Sequence, residues 1–166
     1  MNIRFEEQKD INAVRDVHLD AFEGPGEAKL VDMLREKASP IVSLVAKNEG
    51  EVVGHIMFSP VMLGDYDIKI MGLAPVTVLE SEQNKGYGAA LVNAGLEECK
   101  ALGYQGVVLL GHAEYYPRFG FRTSTEYSIT CEYDVPSEYF MALELVEGAF
   151  DVVSGTIKYH PVFAEL

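Results

Sequence analysis

The sequence predicts one α/β (α+β) domain, and three observations carry that prediction. The run 70–79 is apolar and rich in Val and Leu, as in a buried strand, whereas 89–102 has helical composition, so a strand feeds a helix through a glycine-bearing turn. The runs 41–47 and 51–63 read as strands joined by Asn48-Glu49-Gly50, a tight hairpin connection. The length of 166 residues suits a single domain, and 48% hydrophobic residues are ample for a continuous core.

Taken in order, residues 2–6 alternate enough for a first strand, after which Ile11, Val14, Val17/His18 and Ala21/Phe22 recur at helical spacing. Glu23-Gly24-Pro25-Gly26 breaks that helix and makes a hinge suited to a mobile rim. A second helix over 27–37 turns Leu30, Val31 and Leu34 inward. Asp65-Tyr66-Asp67 then leads into the strand that ends at Leu79. That strand holds Pro75, which donates nothing to a ladder; a β-bulge resolves the conflict. Beyond the turn, Leu91, Ala94/Gly95, Glu98/Cys99 and Leu102 keep helical spacing until Gly103 stops the helix. Residues 106–111 form a short buried strand, and 139–146 and 152–159 read as strands around Glu147-Gly148-Ala149. There is no repeat, low-complexity tract or linker, so 1–166 is read as one domain.

The formal charge of -13 argues against a nucleic-acid binder or a protein held on anionic lipid, because both surfaces would repel it. The same acidity favours an amine-bearing partner. The first residues carry charge from Arg4 onward and lack an apolar segment, so they do not read as a signal peptide. The apolar runs are too short to span a bilayer. Cys99 and Cys131 form no CxxC or Cys/His grouping, which leaves no metal site and no disulfide framework; they read as core thiols of a cytoplasmic protein.

The turn Gln83-Asn84-Lys85-Gly86-Tyr87-Gly88 is the stretch with chemistry in it. A glycine turn entering a helix presents backbone N–H groups at the positive end of the helix dipole, where phosphate oxygens are stabilised. A Walker loop needs Gly-Lys followed by Ser or Thr, but Lys85 precedes its glycine and no hydroxyl follows. A dinucleotide fingerprint wants a small residue where Leu91 stands and an acidic ribose contact after the next strand, and neither is evident.

Gln83, Gly86 and Gly88 match, position by position, the Gln/Arg-x-x-Gly-x-Gly/Ala loop of the GNAT superfamily of N-acetyltransferases. The alternative for the hexapeptide alone is an ordinary strand-to-helix turn. A second signature decides: His112-Ala113-Glu114-Tyr115-Tyr116-Pro117-Arg118-Phe119-Gly120-Phe121 contains Tyr-x-x-x-Gly-Phe after the fifth strand. Over roughly its whole length the chain resembles this superfamily. It looks closest to an uncharacterised bacterial subgroup of predicted N-acetyltransferases, through Val53-Gly54-His55-Ile56 and the tail around Tyr159-His160-Pro161. The usual proline after the fourth strand is Glu80, and Gly111-His112 stand in place of a common asparagine.

The resemblance implies a mixed, mostly antiparallel sheet flanked by helices and splayed between strands four and five, with a bulge in the fourth. It implies acetyl-CoA as co-substrate and transfer of its acetyl group to a primary amine by direct attack. Gln83, Asn84, Lys85, Gly86, Tyr87, Gly88 and Ala89 would hold the pyrophosphate, with Lys85 the side-chain charge. The backbones of Val76 and Val78 would pair with the pantetheine amides, and the Val76 N–H would meet the oxyanion, since Pro75 has none. Tyr116 would protonate the departing sulfur, or else pack beside Phe119 and Phe121. Glu27 is a candidate base, with a helix-dipole role or a water-mediated base as alternatives. His55 reads as a satisfied core histidine. Tyr159, His160 and Phe163 fit packing or an interface, which leaves a homodimer open. The acceptor, a small molecule or a peptide, is not legible, and a non-catalytic acyl-CoA-binding module is the rival reading.

Overall fold

The computed structural model describes residues 2–165. Its elements run β1 (Asn2–Phe5), α1 (Ile11–Ala21), α2 (Gly26–Lys37), β2 (Val42–Asn48), β3 (Glu51–Leu63), β4 (Ile70–Val78), α3 (Tyr87–Ala101), β5 (Gly106–Leu110), β6 (Arg122–Thr123), β7 (Ile129–Cys131), β8 (Phe140–Glu144) and β9 (Gly155–Lys158). The main sheet has the order β1-β2-β3-β4-β5-β8-β6, while β9 pairs with the far end of β3 and with β7. The β4–β5 and β7–β9 pairs are parallel and the rest antiparallel. This is the mixed, mostly antiparallel sheet that the family signatures imply.

The hairpin between β2 and β3 turns on Glu49 and Gly50, both at positive φ, as a two-residue connection of matching twist requires. On β4 the expected bulge is present. Ile56 opposes Val76 but Phe58 opposes Leu73, so two steps along β3 meet three along β4 and the surplus falls at Ala74–Pro75. Pairing with β5 covers only Ile70 to Gly72 against Gly106 to Val108. From Leu73 onward β4 runs with β3 alone, and the sheet opens on that side.

Helix α3 covers one face of the sheet through Leu91, Val92 and Leu96, against Ile56 and Phe58. It lies close because of Gly95: a Cβ there would stand 2.2 Å from the Phe58 ring. The other face carries α1 and α2, through Val14, Leu30, Val31 and Leu34 on Val45 and Met57. A third cluster joins Phe140 and Phe150 to Ile157 and Tyr159, so the tail aromatics pack, with Tyr159 ringed by Tyr133 and Phe163. The last strand is shorter than expected. Residues 147–152 turn instead, putting Phe150 inside and leaving Val152 84% exposed, and β9 starts at Gly155. Cys99 is buried, Cys131 half-buried, and both are free thiols. No described helix is long and apolar enough to cross a membrane.

Among the buried polar groups are His18 of α1 and His55 of β3, whose ring nitrogens meet at 2.8 Å. Desolvation holds both rings below the ordinary 6.5, His18 at about 4. The unfolded chain therefore takes up these protons before the native one does. The stability that the neutral pair contributes is complete above about pH 6.5 and is lost as pH falls towards about 4, a loss of roughly 3 kcal/mol for His18 alone. Asp10, held to about 2 by its Arg4 ion pair, titrates below that window. The urea midpoint is expected to drop clearly between pH 7 and pH 5; a midpoint constant over that range would mean that the rings are not buried in the neutral form.

Candidate functional site

The opening between β4 and β5 leads into a cleft of ≈ 670 Å³. Its floor is β4. Leu79 donates its N–H to the Val53 carbonyl at 2.8 Å, which makes Leu79–Val53 a hydrogen-bonded pair of the antiparallel ladder. By alternation Thr77–His55 is the next such pair, so the N–H and C=O groups of Val76 and Val78 point away from β3. They face the side where β5 has left off. The residues expected to pair with a ligand, Val76 and Val78, thus turn this edge to the cleft, and the Val76 N–H is the first such donor beyond Pro75.

The end wall is the turn into α3. Glu80–Glu82 forms a single 3-10 turn, and Gln83 Nε2 then donates to the Val78 carbonyl at 3.2 Å, tying the loop to the strand end. Asn84 and Gly86 take positive φ of 64° and 91°. The left-handed step at Gly86 reverses the chain so that α3 begins at Tyr87, with Ala90 N–H donating back to the Gly86 carbonyl. The amides of Tyr87, Gly88 and Ala89 then have no partner within the helix, and three aligned donors open at its positive end. A carboxylate or phosphate of a ligand fits this cradle.

Side-chain charge here differs from expectation. Lys85 does not line the cleft; its Nζ lies 3.0 Å from the carboxylate of Glu82, which does. An acid three residues away pairs with the lysine, and the positive side chain that lines the cleft is a different one. Arg118 stacks on Tyr115 at 4.2 Å and donates Nε–H to the Tyr115 carbonyl. Tyr115 in turn covers the start of α3, its hydroxyl 3.6 Å from where a Cβ on Gly88 would be. Both line the cleft. The signal for Arg118 lay inside the second sequence motif, but nothing in spacing alone aims it back at the loop.

Tyr116 lines the same cleft and is half-buried among Tyr115, Phe119 and Phe121. Gly111 makes room for it, since a Cβ there would stand 2.5 Å from the ring; an asparagine at that point would displace the tyrosine. Burial first, then neighbouring Tyr115, raises the Tyr116 hydroxyl above its ordinary range and keeps it protonated. Opposite stand Ala21 and Phe22, at the end of α1. Phe22 lines the cleft, whereas the Glu23-Gly24-Pro25-Gly26 hinge read from the sequence does not. Glu27 is half-buried in the first turn of α2, where a carboxylate complements the helix dipole, and is not part of the lining. One cleft thus gathers Val76, Val78, Gln83, Asn84, Gly86, Tyr87, Gly88, Ala89 and Tyr116, without Lys85 or Glu27. Among the described residues no group of three His, Cys, Asp or Glu side chains is placed to hold a metal.

The model of the "Acetyltransferase (GNAT) family" matches residues 11–121. The uncharacterised N-acetyltransferase YhbS of Escherichia coli is 35% identical over 164 residues, 98% of each chain. The structure of E. coli YhbS in complex with CoA superposes with a TM-score of 0.93 at 33% identity, over 98% of this chain and 91% of that one. A GNAT family acetyltransferase from Brucella melitensis, in complex with acetyl-CoA, gives 0.81 at 36% identity over 98% and 97%. With both signatures on one cleft and relatives similar over nearly their full length, this chain belongs to the GNAT family of acetyltransferases.

Proposed function

We propose that the protein is an acetyl-CoA-dependent N-acetyltransferase that acts on a primary amine of a small-molecule or peptide acceptor by direct attack. The observation that carries this is the convergence on one cleft of three free helix-terminal amides, an outward strand edge engaged only at the Val78 carbonyl by Gln83, and a protonated tyrosine. The two similar proteins whose structures hold CoA or acetyl-CoA support the choice of donor. The free thiols and the want of a membrane-crossing helix among the described residues fit a cytoplasmic location.

Acetyl-CoA supplies an activated acyl carbon. The amides of residues 87–89 and the turn 83–86 hold its pyrophosphate, and the outward edge of Val76 and Val78 holds the pantetheine amides as an added strand. As the C–N bond forms, the Val76 N–H donates to the developing oxyanion. As the C–S bond breaks, the Tyr116 hydroxyl gives its proton to the sulfur, and the proton lost by the amine leaves through water. Glu27 is the proposed end of that water path, since it does not reach the cleft lining itself.

The test is release of free CoA thiol from acetyl-CoA across a panel of primary amines. Amine-dependent release is expected; tight CoA binding with no release for any amine favours the binding-module reading instead. In that assay Tyr116→Phe is expected to lower kcat by ~10²–10⁴-fold with little change in CoA affinity, because an acid for the leaving group acts in the transition state. Turnover equal to wild type, with chemistry rate-limiting, would return Tyr116 to core packing.

Calorimetry separates the two cations. Arg118→Ala is expected to weaken CoA binding by about fivefold at low salt, as for a partly exposed charge-assisted contact, and Lys85→Ala by less than about twofold. The reverse ranking would reinstate Lys85. For Glu27→Gln, the rise of rate with pH is expected to flatten or move, whereas a profile identical to wild type assigns Glu27 to the α2 dipole alone.

A further inference from the structure

The cleft is lined from both faces of the sheet, and the two sides differ in chemistry. Val76 and Val78 turn their side chains to α3, into the cluster that holds Leu91 and Val92, so the turn 83–89 lies on that face. Thr77 stands between them and points the other way. It opposes His55, whose ring meets His18 of α1 at 2.8 Å, so the Thr77 side chain lies on the face that α1 covers. Its backbone N–H and C=O are spent on β3, which leaves the side chain as the part that lines the cleft. Ala21 and Phe22 line the cleft on the same face, from the end of α1.

This side of the cleft carries no charge. The nearest acids of the α1 end, Asp20 and Glu23, are not in the lining, and the Asp20 carboxylate accepts the Glu80 N–H at 3.1 Å. Among the described residues the one carboxylate in the lining is Glu82, at the loop end and paired with Lys85. What remains on the α1 side is a methyl, a phenyl ring and one hydroxyl. Thr77 is 7% exposed, and its hydroxyl has no hydrogen-bond partner among the described residues. It is not one of the sealed atoms without a partner, His18 Nδ1 and Ser59 Oγ, because it opens on the cleft. Valines flank it, and a third valine would fill the same volume; the hydroxyl is the difference.

We propose that the acceptor is a primary amine carried on an apolar group, aliphatic or aromatic, which lies on Ala21 and Phe22 while the Thr77 hydroxyl accepts one N–H of the neutral amine. With that hydrogen held, the nitrogen lone pair is turned to an acyl carbon at the outward edge of Val76. The inference rests on the N-acetyltransferase reading above and names the class of amine within it. Thr77 neither gains nor loses a proton in this role, and the proton of the amine still leaves through water. A polyamine would bring a second ammonium to a wall that has no carboxylate to pair it, and the lost hydration would not be recovered. The net charge of -13 draws any protonated amine towards the protein, so the choice among amines falls to this wall.

The probe is a pair of amines with equal numbers of non-hydrogen atoms, n-hexylamine and cadaverine, which differ in whether the far end is a methyl group or an ammonium. Thiol release from acetyl-CoA is expected to give n-hexylamine a kcat/KM at least about tenfold above cadaverine, with phenethylamine on the side of n-hexylamine. Thr77→Val keeps the shape of the side chain and a β-branched strand residue, and is expected to lower kcat/KM for n-hexylamine about fivefold with KM for acetyl-CoA unchanged. Thr77→Ser, which restores the hydroxyl, is expected to retain most of it. Cadaverine equal to or faster than n-hexylamine, or wild-type kcat/KM in Thr77→Val, overturns this inference alone. No thiol release by wild type with any amine, n-hexylamine included, overturns the N-acetyltransferase reading and this inference with it.

Discussion

The surplus residue in β4 at Ala74–Pro75 is the constraint on which the rest of the site depends. A proline inside a sheet removes one donor from the ladder, and here the bulge absorbs that loss on the β3 side while β5 has already ended its pairing at Val108. The consequence is a strand with one edge satisfied and the other open, buried in the middle of a fold. Exposed edges at the rim of a sheet invite aggregation, but this one lies in a cleft that it shares with Tyr116 and the turn into α3. An extended chain bearing amides is the natural occupant of such a slot.

The electrostatics follow from the same economy. A chain of net charge -13 would be expected to repel a polyanionic co-substrate. The proposed cradle answers this with fixed dipoles: the first amides of α3 are aligned by the backbone and carry no net charge. Glu82 pairs with Lys85, and the stacked Arg118–Tyr115 pair puts one cation on the lining of the same cleft. On the proposed reading, the field that holds the donor is short-ranged, while the acidic surface beyond it is left to act on an amine.

Much of this was legible in the sequence because it is local. The β4–turn–α3 unit, the hairpin at Glu49–Gly50 and the bulge at Pro75 each lie within a few consecutive residues, where periodicity and turn chemistry operate, and the Tyr116 motif was visible through the family resemblance. What was not legible depends on contacts between distant segments. The insertion of β8 between β5 and β6, and the pairing of β7 with β9, arise from strands of only a few residues whose pattern is too short to assign partners. The capture of Lys85 by Glu82 and the turn of Arg118 onto Tyr115 are choices of rotamer, which composition does not reveal. Likewise His18 reads as one more inward position of an amphipathic helix, and His55 as a core histidine; that they touch is a fact of tertiary packing.

Gly95 shows how far from a ligand its affinity can be decided. The glycine faces Phe58 across the α3–β3 interface, with no room for even a methyl group. Helix α3 is rigid along its length, so whatever lifts it at Gly95 also tilts the amides of Tyr87, Gly88 and Ala89 two turns away. Replacing Phe58 by a smaller residue lets the same helix settle inward. The depth of the anion cradle is therefore a property of the hydrophobic core, and variation at these two positions would be felt as a change in co-substrate affinity by a protein whose binding loop had not changed at all.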